Sequence, residues 1–286
     1  MKTILIQLDT DPRPSTFDRV VAVDAGVDEL FSYGGITPEN VETLVHGAIF
    51  TRGPKDLKQT AIFIGGSQVA AGEALLKQVC GTFFGPLRVS VMMDSNGSNT
   101  TAAAAVLAAK KHLTLSGLSA LVLGCTGPVG HRVAQILASQ GASVKVASRT
   151  RDRARQTANA ITAAVPDARV LPVATGTEAE LREATAGVSL IIAAGAAGVE
   201  LLSETAWKSL SKLRVLIDLN AVPPLGLGGL QVHEKGVERD GVFCYGALGV
   251  GGTKMKIHKA AIARLFESNT QILDTAAIYA IAETLG

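Results

Sequence analysis

Apolar segments of strand length alternate with amphipathic segments of helix length along almost the whole chain. In the first third we expect strands in ILIQLD, near 29–33, in TAIFIGG and in RVSVMMD, and helices near 15–24, from TPEN, over 67–82 and over 99–112. Thr37 is expected to cap the helix that begins at TPEN, with Pro38 in its first turn. Strands that alternate with helices form βαβ units, so this pattern predicts a parallel sheet covered by helices on both faces.

A second alternating series begins at residue 118. We expect strands at 118–123, 143–147, 169–173, 188–194, 214–219 and 242–245, and helices at 128–140, 151–164, 177–186 and 203–211. This order is typical of the doubly wound, Rossmann-type dinucleotide-binding fold. The alanine-rich segment 102–109, with its high helix propensity, is expected to link two domains. The amphipathic segment 254–286 is expected to be helical and to return to the first domain.

The predicted fold class is therefore α/β with two domains. An N-terminal parallel α/β domain comprises 1–113 plus 255–286 and is expected to hold the substrate. A Rossmann-type domain comprises 114–254 and is expected to hold the nucleotide. We expect a cleft between them.

A glycine-rich turn follows the first strand of the second series, in LSALVLGCTGPVGHR. Glycines allow a tight turn and close approach to a pyrophosphate, which the free N–H groups of the following helix can bind. The usual spacing is G-x-G-x-x-G, and here Cys125 takes the first glycine position with Gly124 one residue earlier. A tight βα turn without a ligand is the alternative. The predicted cofactor-binding residues of this turn are Gly124, Thr126, Gly127, Pro128, Val129 and Gly130.

The end of the next strand indicates which dinucleotide is bound. NAD-binding sheets place Asp or Glu there, to accept hydrogen bonds from the adenosine ribose. This chain carries hydroxyl and guanidinium groups instead, which suit a phosphate dianion. The pattern favours NADP over NAD, with a solvated basic helix turn as the alternative. Asp152 lies in the same segment and is a complication, because a carboxylate repels a phosphate. The residues predicted to bind the phosphate are Ser148, Arg149, Thr150, Arg151 and Arg153.

Four further segments are candidates for the remaining chemistry. The loop 94–101 follows a strand, where parallel sheets place ligand groups, although part of it can simply cap a helix. The loop 218–226 is either a long connection or places Asn220 near the substrate or the nicotinamide ribose. Small residues after SLII, including Ala194 and Gly195, either contact the nicotinamide half or make a tight turn. In the glycine-rich segment 246–254, Lys254 stands where a helix is expected to begin, which is a poor place for a structural cation.

Composition excludes several other classes of protein. The chain has 286 residues, of which 47% are hydrophobic and 18% charged, with a net charge of +2 and 4% aromatic residues. We expect neither disorder nor nucleic-acid or membrane binding. The dispersed Cys80, Cys125 and Cys244 lack metal-ligand spacing, so we expect no metal and a reduced, cytoplasmic protein. The N-terminal MKTILIQLDTD is expected to be a strand and not a signal peptide.

Taken together, these loops resemble one known family. The residues that carry the resemblance are LDTDPRPSTFD, TPEN, TRGPKD, MDSNGSNTTAAA, LGCTGPVG, DLNAVPPLGLGG and YGALGVGGTKMKIHKAAIARLFES. They are similar to the NAD(P)-dependent methylene-tetrahydromethanopterin dehydrogenases of one-carbon-metabolising bacteria, over nearly the whole chain. Some members of that family also accept methylene-tetrahydrofolate.

The resemblance implies reversible hydride transfer from a methylene-tetrahydropterin to NADP, with a methenyl cation as product. No proton leaves with the hydride, so positioning of two flat rings can supply the catalysis without a general base. By this resemblance Lys254 lies at the pterin site, and Asn96, Asn99 and Thr100 line it, with Asp94, Ser95 and Asn220 as further substrate-binding candidates. Cys125 departs from the usual turn, and Thr150 and Arg151 fall where the family varies. The family also suggests a homo-oligomer.

Two other functions stay open at this point. The first is a bifunctional methylene-tetrahydrofolate dehydrogenase/cyclohydrolase, which needs a lysine–tyrosine arrangement in the first domain. Lys55 and Lys58 lie there, in TRGPKDLK, without a helix that places a tyrosine beside them. The second is a non-catalytic NADP-sensing protein. Such a protein would keep the turn at 124–130 without needing the polar loop 94–101 or Lys254.

Overall fold

Two compact units make up the chain, in a computed structural model that describes residues 1–286. Unit 1 comprises Met1–Thr100 with Met255–Gly286, and unit 2 comprises Thr101–Lys254. Both boundaries fall inside helices. The alanine-rich helix that was expected to link two domains contains the first of them.

Unit 1 begins with four parallel strands separated by helices. In chain order its elements are β1 (Ile4–Asp9), α1 (Thr16–Asp24), β2 (Glu29–Tyr33), α2 (Glu42–Phe50), β3 (Thr60–Gly65), α3 (Val69–Thr82) and β4 (Ser90–Met93), and α4 (Ser98–Lys110) then leads into unit 2.

Unit 2 contains the second alternating series. Its elements are β5 (Ser119–Leu123), α5 (Pro128–Ser139), β6 (Ser143–Ser148), α6 (Arg151–Ala164), β7 (Arg169–Ala174), α7 (Glu178–Thr185), β8 (Leu190–Ala193), α8 (Glu204–Lys208), β9 (Val215–Asp218), β10 (Lys235–Arg239) and β11 (Val242–Tyr245). The helix α9 (Ala247–Arg264) returns to unit 1, where β12 (Ile272–Leu273) and α10 (Thr275–Glu283) complete the chain.

The sheet of unit 1 has five parallel strands in the order β12-β4-β3-β1-β2. Its central strand β3 is buried at every position, as expected of a strand with helices on both faces. On one face Ile6, Leu8, Ile62 and Ile64 form a core with residues of α2 and α3. This packing fixes the carboxyl ends of β1, β3 and β4 along one edge.

The sheet of unit 2 has seven strands in the order β10-β11-β9-β8-β5-β6-β7. All neighbours are parallel except β10, which pairs antiparallel with β11. The strand order reverses between β5 and β8, and α/β sheets bind ligands at this kind of switch point. The core includes the fully buried Trp207, whose indole N–H donates to the Gly228 carbonyl at 2.9 Å. The prediction of a Rossmann-type α/β fold is confirmed.

Two predictions for unit 1 were wrong in detail. The helix expected from TPEN begins at Glu42, with Val41 at its N-cap, and residues 38–40 form a turn in which Asn40 Oδ1 accepts from the Thr37 amide. The proline of TPEN therefore belongs to the turn before α2. The segment 254–286 is also not helical throughout, because Ile272 and Leu273 add a parallel strand beside β4.

The glycine-rich segment 246–254 was expected to precede a helix that begins at Lys254, and this expectation was also wrong. It is helical from Ala247, so Lys254 lies about two turns inside α9 instead of at its start. The dipole argument for Lys254 therefore fails. The strand β10 was missed because its KGVER sequence lacks an apolar run. None of the helices combines the length and the apolar character that a bilayer span needs.

Candidate functional site

The turn after β5 packs against the turn after β8 with almost no space between the two backbones. Gly124 has a positive φ of 73°, and a Cβ atom built on it would stand 2.5 Å from the Gly195 Cα. The Ala194 amide donates to the Leu123 carbonyl at 2.9 Å, which holds the two turns together. A residue with a side chain at position 124 would both strain the backbone and separate the turns.

Close packing also explains Gly130. A Cβ atom on it would stand 2.6 Å from the Gly124 carbonyl oxygen, so only glycine lets α5 approach the end of β5 this closely. At the N-cap of α5, Gly127 provides no side chain to cap the helix, and Pro128 occupies its first turn. The first N–H groups of α5 are therefore left for an anion. These residues fit the pyrophosphate of a dinucleotide.

Cys125 lies inside this turn but away from solvent. Its side chain is fully buried, and burial raises the pKa of the thiol to about 12. At neutral pH the side chain is a protonated, apolar group that fills space below the turn. The departure from G-x-G-x-x-G thus leaves Gly127 at the N-cap of α5 and Gly130 against the Gly124 carbonyl oxygen.

Exposed cations surround the start of α6. Arg149, Arg151 and Arg153 all lie on the surface, whereas Ser148 is buried at the end of β6. Asp152 pairs with Arg155 at 3.7 Å, so the acidic residue in this segment is directed to a different arginine. A group of exposed guanidinium groups at a helix N-terminus is unfavourable unless an anion binds there.

Three loops meet at the carboxyl edge of the sheet in unit 1. The Asp11 carboxylate accepts hydrogen bonds from the Ser67 amide at 3.0 Å and the Ser67 hydroxyl at 2.9 Å. The Asn96 amide donates to the Gly66 carbonyl at 2.7 Å. The loops after β1, β3 and β4 are thus joined through these contacts. Sequence reasoning singled out the third loop alone, although LDTD and IGGS follow strands in the same way.

Most side chains of the 94–101 segment are buried within unit 1. The Asp94 carboxylate accepts from the Asn99 and Thr100 amides at 2.8 and 3.1 Å and from the Thr100 hydroxyl at 2.6 Å. The Asn99 side chain donates to the Met93 carbonyl and accepts from Thr275 Oγ1. These groups cap α4 and fix it to β4 and α10.

Asn96 differs from its neighbours because it is exposed, with a positive φ of 55°. Ser95 is buried, and its hydroxyl donates to the Gly65 carbonyl at 3.2 Å. Among the predicted substrate-binding residues of this loop, Asn96 therefore presents its side chain to solvent, while the others build the loop that carries it.

The loop after β9 in unit 2 is organised by a buried carboxylate. Asp218 accepts from the Asn220 and Leu227 amides at 2.9 and 2.8 Å, and burial raises its pKa from the ordinary value. Asn220 is buried as well, and its Oδ1 accepts from the Val222 amide. The sequence analysis included Asp218 in this loop without giving it a role, although its place at the end of β9 matches that of Asp94 after β4.

These features define a class of protein. A doubly wound sheet, a turn that admits only glycine at two positions and exposed arginines at the next strand end are characteristic of NAD(P)-dependent oxidoreductases. Among solved structures, quinate dehydrogenase from Corynebacterium glutamicum in complex with NAD is similar in fold, with a TM-score of 0.54, 14% identity and coverage of 99% of both chains.

Sequence comparison identifies the family. Residues 16–96 match the N-terminal domain of methylene-tetrahydromethanopterin dehydrogenase. The chain is 45% identical over 286 residues to the bifunctional protein MdtA of Methylorubrum extorquens, with 99% of each chain covered. It is 30% identical over 303 residues to the NAD(P)-dependent methylenetetrahydromethanopterin dehydrogenase of the same organism, with 98% of each covered. The chain belongs to this family of NAD(P)-dependent oxidoreductases of one-carbon metabolism, and the resemblance is confirmed.

Proposed function

We propose that this enzyme oxidises methylene-tetrahydromethanopterin with NADP and releases the methenyl cation and NADPH. The observation that carries the NADP part is the pairing of two features of unit 2: an uncapped α5 behind a glycine turn, and the exposed Arg149, Arg151 and Arg153 at the next strand end. A pyrophosphate and a ribose phosphate are the anions that these two features fit.

NADP, when bound, accepts the hydride at C4 of its nicotinamide ring. The part played by the protein is binding and orientation. The turn at 124–130 holds the pyrophosphate through backbone N–H groups, and Ser148, Arg149, Thr150, Arg151 and Arg153 hold the 2′-phosphate. Ala194 and Gly195, which pack against Gly124, are proposed to contact the nicotinamide half of the cofactor. The proposal needs no general base, because the product carries the positive charge that remains after hydride loss.

On the substrate side, we assign the loop 94–101 of unit 1 to the pterin. Asn96 is its exposed amide, and the buried Asp94, Ser95, Asn99 and Thr100 hold the loop in place. Asn220 and Lys254, both in unit 2, remain proposed as substrate-binding and catalytic residues respectively. A cation near the pterin can orient its polar groups, since Lys is a strongly hydrated point charge on a flexible stem.

An absorbance assay at 340 nm tests the proposal. NADP and NAD are each combined with methylene-tetrahydromethanopterin and with methylene-tetrahydrofolate. We expect the fastest reduction with NADP and the methanopterin substrate. If none of the four combinations raises the absorbance at 340 nm, in a preparation that still binds NADP, the result would contradict the proposed reaction and favour a nucleotide-sensing protein.

A second candidate function follows from the name of the relative that is 45% identical, which is described as bifunctional. A dehydrogenase that also hydrolyses methenyl-tetrahydrofolate would cause the absorbance of this compound to decay even when no dinucleotide is present. Lys55 and Lys58 are exposed residues around a short 3-10 turn of unit 1. If they act in hydrolysis, Lys55→Ala or Lys58→Ala would abolish that decay while hydride transfer continues.

The proposal also includes a homo-oligomeric, cytoplasmic enzyme. The three free cysteines are consistent with a reducing compartment.

A further inference from the structure

The loop that follows β1 in unit 1, residues 10–15, is held at both ends by one buried carboxylate. Asp9 is the last residue of β1 and is fully buried. Its carboxylate accepts hydrogen bonds from the Asp11 amide at 2.9 Å and from the Ser15 amide at 3.0 Å. The loop is therefore fixed before the chain enters α1. We call residues 10–15 the Arg13 loop.

This loop also packs against the loop that follows β2. The Gly35 amide donates to the Asp11 carbonyl at 2.8 Å. A Cβ atom on Gly34 would overlap the Pro12 carbonyl oxygen and stand 2.9 Å from Pro14 Cδ, so only glycine allows this contact. Each proline ring also fixes its own φ angle. The backbone of the residue between the two prolines is therefore restrained on both sides.

Arg13 extends from this restrained backbone into solvent. It is exposed, and its guanidinium group makes no hydrogen bond or ion pair within the protein. It is also the only cation in the loops that follow the five strands of unit 1. These loops comprise residues 10–15, 34–41, 66–68, 94–97 and 274. An anion that binds at the carboxyl edge of this sheet therefore finds one arginine there.

Hydrogen bonds connect the Arg13 loop to the loop that we assign to the pterin. The Asp11 carboxylate accepts from the amide and the hydroxyl of Ser67, in the loop after β3. The Asn96 amide, in the loop after β4, donates to the Gly66 carbonyl at 2.7 Å. Arg13 and the proposed pterin loop therefore belong to one connected edge of unit 1, where parallel sheets bind ligands.

The substrate that we propose for this edge is an anion. Tetrahydromethanopterin carries phosphate and carboxylate groups in the tail beyond its arylamine, and tetrahydrofolate carries the carboxylates of glutamate in the same place. The ring that reacts carries none of these groups. A protein that holds either substrate can therefore gain affinity from a cation placed to meet the tail.

On the basis of the proposed function, which supplies the pterin, we propose that Arg13 binds an anionic group, a phosphate or a carboxylate, in the tail of the substrate. A guanidinium group forms charge-assisted and often bidentate hydrogen bonds with both kinds of oxyanion. Because the loop is already rigid, little backbone entropy is lost when the anion binds. The tail lies away from the carbon that loses hydride, so Arg13 contributes to substrate affinity and to the choice among pterins, and not to the rate of hydride transfer.

Steady-state kinetics with substrates that share the reacting ring but carry different tails tests this assignment. The substrates are methylene-tetrahydromethanopterin, methylene-tetrahydrofolate and the methylene derivative of 6-(anilinomethyl)tetrahydropterin, which has no charged tail. Each is assayed with NADP in wild type, Arg13→Gln and Arg13→Lys. The control Lys77→Gln removes an exposed cation that lies about 12 Å along α3 from the start of that helix. If the tailless compound is not turned over, its inhibition constant against the methanopterin substrate replaces the KM.

We expect Arg13→Gln to raise the KM for the methanopterin substrate at least about tenfold, with kcat changed less than about twofold. Arg13→Lys should recover part of the affinity, and Lys77→Gln should match wild type. The KM for the tailless compound should be the same in all four proteins. A rise with methylene-tetrahydrofolate as well assigns a carboxylate of the tail to Arg13, and a rise with the methanopterin substrate alone assigns the phosphate.

An unchanged KM for the methanopterin substrate in Arg13→Gln would overturn the assignment, as would an equal rise for the tailless compound or a fall in kcat alone. A lower sedimentation mass of Arg13→Gln would also overturn it, and would assign the arginine to a contact between subunits. If wild type binds NADP but oxidises none of the three compounds, the proposed function itself fails, and the assignment of Arg13 fails with it.

Discussion

Gly130 lies so close to Gly124 that a Cβ atom on Gly130 would stand 2.6 Å from the Gly124 carbonyl oxygen. The first turn of α5 can therefore reach the end of β5 only while position 130 lacks a side chain. This contact fixes the position of the N-terminus of α5 relative to the turn. It therefore also sets how closely the N–H groups of the helix can approach a phosphate that is bound at the turn.

Substitution Gly130→Ala should therefore weaken NADP binding. The added methyl group forces α5 away from the turn, and we expect the dissociation constant for NADP to rise at least about tenfold, measured by calorimetry. The control is Gly47→Ala, in α2, where a Cβ atom would meet nothing within 4 Å. That control should bind NADP normally and gain up to about 1 kcal/mol of stability. Equal NADP affinity in Gly130→Ala and wild type would show that the turn does not hold the pyrophosphate.

Substitution Arg149→Ala should raise the KM for NADP much more than the KM for NAD. The guanidinium group is exposed and is proposed to hold the 2′-phosphate, which NAD lacks. Arg155→Ala is the matched control, because Arg155 is an exposed arginine in the first turns of α6, close in sequence to Arg149, but pairs with Asp152. The assignment of the phosphate site fails if Arg149→Ala affects both dinucleotides to the same extent.

Substitution Lys254→Ala should lower turnover or weaken pterin binding, while the affinity for NADP stays intact. Lys254 lies within α9, and Lys256, exposed in the same helix, provides a control with the same change of charge. Steady-state kinetics with both substrates separates the two effects. A loss of NADP affinity in Lys254→Ala would assign that lysine to the cofactor instead.

Alkaline pH should destabilise the folded protein. Burial raises the pKa of Cys125 to about 12 and that of Cys244 to about 11, from an ordinary value of about 9. Both groups hold their protons more tightly when folded. The stability that they contribute is therefore complete below about pH 9, and it is lost as the pH rises toward the folded values, because the unfolded chain then binds fewer protons.

Urea unfolding between pH 7 and pH 10.5 measures this dependence. The free energy of unfolding should fall above pH 9, and the fall should be shallower in Cys125→Ala than in wild type. The interpretation would be wrong if the two proteins showed the same slope. In the folded protein at pH 8 without urea, an alkylating reagent should modify the partly exposed Cys80 before either of the buried thiols.

Periodicity predicted most of the fold, because strands buried on both faces and amphipathic helices leave clear patterns in the sequence. The strand β5, the glycine turn and α5 could be placed to within a residue or so for this reason. The strand β10 could not, since KGVER is a polar edge strand that depends on pairing with β11. The helix start at Ala247 was missed because the glycines of GALGVGG are typical of loops, and tertiary structure overrides that preference.

The candidate site was only partly predictable. A polar segment directly after a predicted strand identified the loop after β4. That signal did not show that the side chains of Asp94 and Asn99 would face inward and cap α4. The pairing of Asp11 with Ser67 joins loops 56 residues apart in sequence, and only the folded sheet brings them together. Contacts of this kind depend on which strands lie side by side, which local sequence patterns do not encode.

Transfer of deuterium tests the central proposal most directly. The enzyme is incubated with NADP and with methylene-tetrahydromethanopterin in which both hydrogens of the methylene carbon are replaced by deuterium, and the NADPH formed is analysed by mass spectrometry and NMR. Direct hydride transfer predicts one deuterium at C4 of the nicotinamide in every NADPH formed. NADPH that carries hydrogen from the solvent at C4, or no NADPH at all, would contradict the proposed reaction.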